Sequence, residues 1–365
     1  MRPSRVLCWS LLGACLIGGQ TASAADKSFK ERSDVGVRFE QWLAGDDNIL
    51  RLSDSDLSAF RTDPTLQTGT SRTSDWHFDN RVRLDFTLRS EESRRRFWRF
   101  RLDQKFAEYR SGAANDFNTL RLQLIRQLKP GRSYDLSFFK VNNFYLRDYR
   151  DLDTGLRQQA SFDSTEYRAR GSWRFADRKY FSRPTLTGAI AWEELRYNNV
   201  FEEYDTEGLR LEALLAWDFN DSWDARVGYG RRNINNVGFR PQIIGMPTTN
   251  TGAGDGSFDE DVIDLGLRWN VPGARRGTRL LADLEWRARS YTTDRLVADD
   301  PIHAGRDDSR VRVGLRAEFP IKPKLTIIPF IERDSRDSDG DFANLGNIKD
   351  FEANRAGVGL RWNVR

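Results

Sequence analysis

Ala356-Gly357-Val358-Gly359-Leu360-Arg361-Trp362-Asn363-Val364-Arg365 closes the chain. Ala356, Val358, Leu360, Trp362 and Val364 share one parity; Gly357, Gly359, Arg361, Asn363 and Arg365 share the other. Successive side chains of a β-strand point to opposite faces, so this decamer has one apolar and one polar face. No apolar helical face at i, i+3 and i+4 fits it as well.

The same alternation recurs upstream. Val82, Leu84, Phe86 and Leu88 interleave with Arg81, Arg83, Asp85 and Arg89, and Trp98, Phe100 and Leu102 with Arg99, Arg101 and Asp103. Leu120, Leu122 and Leu124 flank Arg121, while Tyr167, Ala169 and Trp173 alternate with Glu166, Arg168, Arg170 and Arg174. Leu209, Leu211 and Leu215 alternate with Arg210 and Glu212, Val227 and Tyr229 with Asp224 and Arg226, and Ile263, Leu265 and Leu267 with Asp264 and Arg268. Leu280, Leu284 and Trp286 alternate with Arg279, Asp283, Glu285 and Arg287, and Val311, Val313 and Phe319 with Arg312, Arg316 and Glu318. Weaker strands are expected near 35–43, 134–146, 185–197 and 325–333. Pro329 lacks a ladder donor, which predicts a bulge or a locally unpaired position, and a parity slip near Phe138-Phe139 predicts another bulge. The count comes to about fourteen strands, with a range of 12–16, and single-chain bacterial barrels have an even number.

Connection lengths support a barrel independently. Long connections at 44–75, 110–116, 148–163, 198–207, 233–261, 292–308 and 334–350 alternate with short ones at 90–95, 129–132, 176–183, 220–222, 272–277 and 320–324. Long loops on one rim and short turns on the other are what a transmembrane barrel shows. Trp76, Trp98, Trp173, Trp217, Trp223, Trp269 and Trp362 fall near strand ends, as an interfacial aromatic girdle requires, and the last five adjoin short turns. The expected fold is therefore an all-β, transmembrane, antiparallel up-and-down barrel.

The N-terminus fits export. Arg2 and Arg5 precede an apolar run from Val6 to Gly18, and Ala22-Ser23-Ala24 supplies the small residues of a cleavage site. The run is too short to span a bilayer as a helix, although an N-terminal anchor is the competing reading. Leu12-Gly13-Ala14-Cys15 also resembles a lipobox; the apolar run continues past Cys15, which favours cleavage after Ala24. Residues 1–24 are thus expected to be a signal peptide and residues 25–365 a single barrel domain. Cys8 and Cys15, the only cysteines, lie in the signal, so the mature chain carries no disulfide. The formal net charge of +4 falls to +2 once Arg2 and Arg5 are removed, which argues against a nucleic-acid partner. A mean hydropathy of −0.68 leaves no helical span, but a barrel strand hides from such averages.

An arginine facing the bilayer midplane costs roughly 2–4 kcal/mol, so the polar parity must face inward. The expected lumen lining is Arg81, Arg83, Arg99, Arg101, Arg121, Arg168, Arg170, Arg210, Arg226, Arg268, Arg287, Arg312 and Arg316, with Asp85, Asp103, Glu166, Glu212, Asp264, Asp283, Glu285 and Glu318. Two readings compete: a ladder of cross-strand ion pairs that fills a narrow lumen, or a wet pore whose arginine surplus attracts anions. The loop at 233–261 is the expected constriction, on length alone.

Catalytic signals are thin. His77, near the outer end of its strand with inward parity, and His303, in a long loop, are the only histidines and read as surface or lumen residues. No GxSxG or histidine-rich metal spacing occurs. Asp337-Ser338-Asp339-Gly340-Asp341 resembles the start of a calcium loop but lacks the downstream bidentate glutamate, so a solvated acidic loop is expected. Gly252-Ala253-Gly254-Asp255-Gly256 reads as a flexible loop tip. No cofactor or metal is expected.

These features resemble the porin-like outer-membrane barrels of Gram-negative bacteria, and the strand count and lumen are similar to small monomeric porins and acidic-oligosaccharide channels. The resemblance is one of pattern rather than motif. The closing strand departs from the usual terminal aromatic, because Trp362 is followed by Asn363, Val364 and Arg365. The resemblance implies an outer-membrane channel for small hydrophilic solutes, surrounded by lipid and lipopolysaccharide and inserted by the barrel-assembly machinery. A structural or accessory barrel of a polysaccharide or protein export system is the alternative, and an outer-membrane hydrolase a weaker one.

Overall fold

The computed structural model describes residues 32–70, 72–90, 93, 95–150, 156–176, 182–238, 254–274 and 277–364. The proposed signal peptide with Cys8 and Cys15, the tip of the 233–261 loop including Gly252 and Ala253, and Arg365 lie outside them.

Fourteen antiparallel strands close on themselves in sequence order. They are β1 (Ser33–Asp46), β2 (Asp75–Arg89), β3 (Phe97–Tyr109), β4 (Phe117–Lys129), β5 (Arg132–Arg150), β6 (Arg157–Arg174) and β7 (Ser182–Tyr197). The ring continues with β8 (Thr206–Asp218), β9 (Trp223–Asn236), β10 (Phe258–Asn270), β11 (Arg279–Tyr291), β12 (Asp307–Lys322), β13 (Leu325–Asp339) and β14 (Phe351–Asn363). The seam pairs β1 with β14, from Arg38↔Asn363 to Asp46↔Arg355. Closure leaves no edge strand, which is what allows a sheet to cross a membrane. At Gly357 an added Cβ would sit 2.3 Å from the Leu43 carbonyl oxygen, so glycine lets β14 seal against β1.

The longest connections, 47–74, 237–257 and 292–306, fall on one rim, but the expected strict alternation fails elsewhere, since 90–96 and 110–116 are equal in length. Of the two tightest turns, 130–131 and 323–324, the first uses Gly131 at φ +77°, a region open to glycine at little cost. Among the described residues two α-helices stand in the long loops: α1 (Asp54–Thr62) and α2 (Leu345–Lys349). Ser53 caps α1 by accepting the Asp56 N–H, and Asp54 and Asp56 complement its N-terminal dipole.

Several expectations need correction. β5 runs to Arg150 and β6 starts at Arg157, so most of the predicted 148–163 loop is strand. β13 runs to Asp339, so Asp337, Ser338 and Asp339 belong to a strand and not to an acidic loop. Both errors have one cause: above the bilayer a strand no longer needs an apolar outer face, and its alternation fades. The parity slip is not at Phe138-Phe139, which stay in register with Phe139↔Arg121; it lies between Val141 and Phe144, where Asn143 adopts φ +50°. Pro329 keeps register with Val358 of β14, and the ladder to β12 skips Ile328 and Pro329, so the position is locally unpaired without a shift.

Candidate functional site: the charged lumen and its mouth

Burial is inverted relative to a water-soluble protein. Leu136 is 60% exposed, Leu211 50% and Ile331 56%, whereas Glu260 and Asp334 are each 1% exposed. Large apolar groups standing outward on neighbouring strands form a continuous belt suited to lipid, and the charges turn inward. The belt ends in aromatics: Trp223 stacks on Trp269 across β9 and β10 at 5.4 Å, Tyr134 meets Trp173 edge-on at 5.8 Å, and Trp98 and Trp362 stand exposed at the short-turn rim.

Inside, guanidinium groups and carboxylates interlock across the strands. Asp103 accepts from Arg81 at 2.6 Å and from Arg83 at 2.9 Å. Arg101 donates to Asp85 at 2.7 Å, and Arg99 to the Thr87 hydroxyl at 3.0 Å. Arg210 reaches Glu166 at 2.6 Å, Glu193 at 2.5 Å and Glu212 at 2.7 Å, and Glu212 also takes Arg168. Arg170 pairs with Asp135 at 2.6 Å, Arg226 with Asp283 at 2.8 Å, and Arg268 with Asp224 at 2.5 Å. Arg287 pairs with Glu285 at 2.8 Å, Arg312 lies within 4 Å of Glu285, Glu332 and Asp334, and Arg316 is 3.4 Å from Asp283. Glu318 is shared by Arg361 at 2.9 Å and Arg279 at 3.6 Å. Arg121 instead stacks over Phe139, 4.7 Å from the ring centre. Asp264 faces the lumen with no ion pair among the described residues, directly opposite Glu285 in the β10–β11 register.

The predicted lining residues thus share one wall, but they are not the whole of it. Asp79, of inward parity in the sequence, pairs with Lys105 at 2.8 Å; Glu40, Asp135, Glu193, Glu260 and Asp334 also hold the ladder together and were missed. Glu260 accepts from Arg232 at 2.6 Å and Arg289 at 2.9 Å; Asp334 accepts from Arg310 at 2.6 Å and Arg312 at 3.3 Å; Glu40 takes Arg361 at 2.9 Å. Extending the parity of Asp264 and Arg268 four residues upstream reaches Glu260, so the signal was present beyond the apolar stretch.

The long-loop mouth is crossed by a strap, residues 47–74, which carries α1. At one side Arg51 lies 3.5 Å from Asp334 of β13, and Asn48 donates to the Glu352 carbonyl at 2.9 Å. At the other, Arg147 of β5 donates to the Arg51 carbonyl at 3.2 Å and to Asp56 at 3.1 Å, and Thr68 donates to Asp148 through its hydroxyl at 2.6 Å. Leu50 and Leu52 pack on Tyr145 as a small core under the strap. β5 and β13 lie on far sides of the ring, so Arg147, Arg51 and Asp334 bridge the mouth.

Between the lumen walls there is open space bordered by charged side chains. One cavity of about 400 Å³ has Arg81 and Lys105 on β2 and β3, and Arg226 and Asp264 on β9 and β10, opposite in the ring. A second, of about 380 Å³, is walled by Arg168, Arg170 and Arg210, and shares Arg226, Asp264 and Glu285 with the first. Gly266 contributes room here: a Cβ would lie 2.5 Å from the Arg226 Nε.

Both histidines are buried. His77 stacks on Tyr109 at 4.9 Å and its Nε2 is 2.7 Å from Arg355, a lumen-wall position that matches its parity. His303 is not on the loop surface: its Nδ1 is 2.8 Å from Asp300 and its ring lies 5.2 Å from Tyr291.

No protein-family model matches the chain, and no curated protein matches it. Among solved structures it is similar to OmpT, an outer membrane protein of Vibrio cholerae, at 11% identity and a TM-score of 0.42, over 91% of this chain and 97% of that one. It is also similar to the outer membrane channel DcaP of Acinetobacter baumannii, at 12% identity and a TM-score of 0.45, over 92% and 98% of the two chains. The anion-selective porin from Comamonas acidovorans matches at 8% identity and a TM-score of 0.40, over 91% and 99%.

Proposed function

We propose that this barrel is an outer-membrane channel through which small hydrophilic solutes diffuse passively, with anionic solutes, acidic oligosaccharides among them, favoured. The observation that carries the reading is the open polar cavity running between opposite walls of the lumen. A barrel built only for rigidity has no use for such space at its axis. Selection then comes from width and charge, without covalent chemistry, and His77 and His303 act as packing groups. The long loops would face outward and residues 1–24 would be removed on export. Lipopolysaccharide and lipid would pack on the apolar belt, and the barrel-assembly machinery would insert the chain. The lumen residues are proposed as solute lining, with the ion-paired arginines shaping the passage and the unpaired ones attracting anions.

The test is single-channel recording in planar bilayers under a potassium chloride gradient. The expected result is discrete conductance with a reversal potential on the chloride side. A folded protein that inserts and passes no current would overturn the reading. That outcome would favour the alternative, an accessory barrel of an export system, for which the strap across the mouth is the supporting observation. Co-purification of a periplasmic or inner-membrane partner would then be expected.

A further inference from the structure

At the long-loop mouth two cations, Arg336 and Lys349, stand outside the ladder of ion pairs among the described residues. Arg336, near the end of β13, spends its Nε and one terminal nitrogen on the Lys349 carbonyl, the former at 2.8 Å, and has no carboxylate within 4 Å among the described residues. Its guanidinium lies over Phe351, 5.0 Å from the ring centre, with Arg310 at 5.6 Å from the same ring. Lys349, the last residue of α2, is half-buried, and its ammonium has no hydrogen bond or ion pair among the described residues. Arg306 is held by Asp308 through two bonds of 2.7 Å and lies 4.5 Å from the Tyr291 ring centre. Arg147 is held from the strap by Asp56.

We propose that Lys349, Arg336 and Arg306, roofed by Arg147 and the strap, form an oxyanion site at the mouth that takes the phosphate or carboxylate group of an entering solute. Four cations from four separate elements converge there, and two carboxylates, Asp308 and Asp56, are bonded to two of them. Asp350, beside Lys349 in sequence, is engaged elsewhere: it accepts the Ser338 N–H at 2.6 Å. The cost of this crowding registers on Lys349, where burial and then Arg306, Arg147 and Arg336 push the ammonium down to about 7, opposed by Asp308. A bound oxyanion relieves that repulsion. Arg336 is preorganised for it, because the Lys349 carbonyl and the Phe351 ring fix its plane while one terminal nitrogen keeps its donors free. The inference deepens the channel reading and rests on a mouth that solutes enter.

The experiment is isothermal titration of the full-length protein in detergent micelles with inorganic phosphate, glucuronate and, as the neutral control, glucose. Binding of phosphate and glucuronate but not glucose is expected, and the stronger of the two identifies the group preferred. Lys349→Met and Arg336→Met should each weaken binding roughly tenfold, the worth of one charge-assisted hydrogen bond. Lys349→Arg should preserve it. In the unaltered protein, glucuronate affinity should fall between about pH 6 and about pH 8.5 as Lys349 loses its proton, and in Lys349→Arg it should stay level. Unchanged affinity in both methionine variants, or no anion binding by the unaltered protein, would overturn the site. The pH arm needs no loss-of-charge variant, so misfolding of one cannot hide the answer. Conductance of the same preparation separates the two claims: current without anion binding removes only the site, and anion binding without current removes only the channel.

Discussion

The mid-lumen and the mouth are built from the same residue type and behave differently. In the middle, the carboxylates are the deeper partners: the Asp103 side chain is 5% exposed against 36% for Arg81, and Glu40 6% against 23% for Arg361. Each acid is ringed by guanidinium groups that stay partly wet, and charge is balanced locally. At the mouth Arg147 is deeper than its partner Asp56, 15% against 40%, and Arg336 and Lys349 have no ion pair among the described residues. Net charge reveals neither arrangement. What separates a structural arginine from a solute-attracting one is whether a carboxylate lies within hydrogen-bond reach.

The sharpest way to break this contrast is to remove an acid at each place. Asp103→Ala strands Arg81 and Arg83 in the lumen wall and should cost about 3 kcal/mol, the low end for breaking a buried pair, since both cations keep some water. Asp350→Ala at the mouth removes one backbone contact and no ion pair, and should cost about 1 kcal/mol. Denaturant midpoints of the folded barrel in detergent measure both. Equal losses at the two sites would show that the ladder is no more structural than the mouth.

The strap gives the next largest effect. Replacing residues 49–72 with a short Gly-Ser linker removes the Arg147–Arg51–Asp334 bridge, and conductance should rise severalfold with the lumen ladder intact. An unaltered conductance would mean that current is limited below the mouth, in the space between Arg81 and Arg226. Arg51→Ala isolates the bridge itself and should raise conductance less.

How much of this was legible in the sequence depends on where each residue sits relative to lipid. Within the bilayer, alternation is enforced by solvent on both faces, so Val82 to Leu88 or Ile263 to Trp269 announce strand, face and depth. Above it, only the lumen side is constrained. There Arg231 pairs outward with Asp259 and Asp261, at 2.7 Å each, and the period-two signal dissolves. Glu260, Asp334 and Arg336 lie in that zone, which is why the inward arginines were found and several of their acids were not. Arg51 is a different case. Its role comes from a loop folding across the ring to β13, with φ at +52°, and no periodicity encodes a contact between residues so far apart. The strap that spans the mouth is the first loop, 47–74, while the tip of the loop expected to constrict, 233–261, lies outside the described residues.

A smaller effect follows from Lys349. Its folded value of about 7 lies below the ordinary lysine value near 10.5, so between the two the unfolded chain binds more protons than the folded one. Stability should therefore rise as pH increases from 7 towards 10, the reverse of a favourably paired lysine, and Lys349→Met should flatten that rise. A slope that survives the substitution would place the titration elsewhere.

The smallest change probes a lumen acid that has no ion pair among the described residues. Asp264 stands across the β10–β11 ladder from Glu285, and like charges in directly opposed positions repel by a few tenths of a kcal/mol to about 1 kcal/mol. Asp264→Asn removes the repulsion and strands no guanidinium, so the folded barrel should be as stable as before or slightly more so. It also removes a negative charge from the space shared by the two lumen cavities, so the reversal potential should move further towards chloride. Glu285→Gln makes the same formal change in charge but releases Arg287 and Arg312 from their acceptor, and should lower stability as well as shift selectivity. If the two variants behaved alike, pairing would not be what distinguishes the two carboxylates, and the division of the lumen into structural and solute-facing charges would fail at its most closely matched pair.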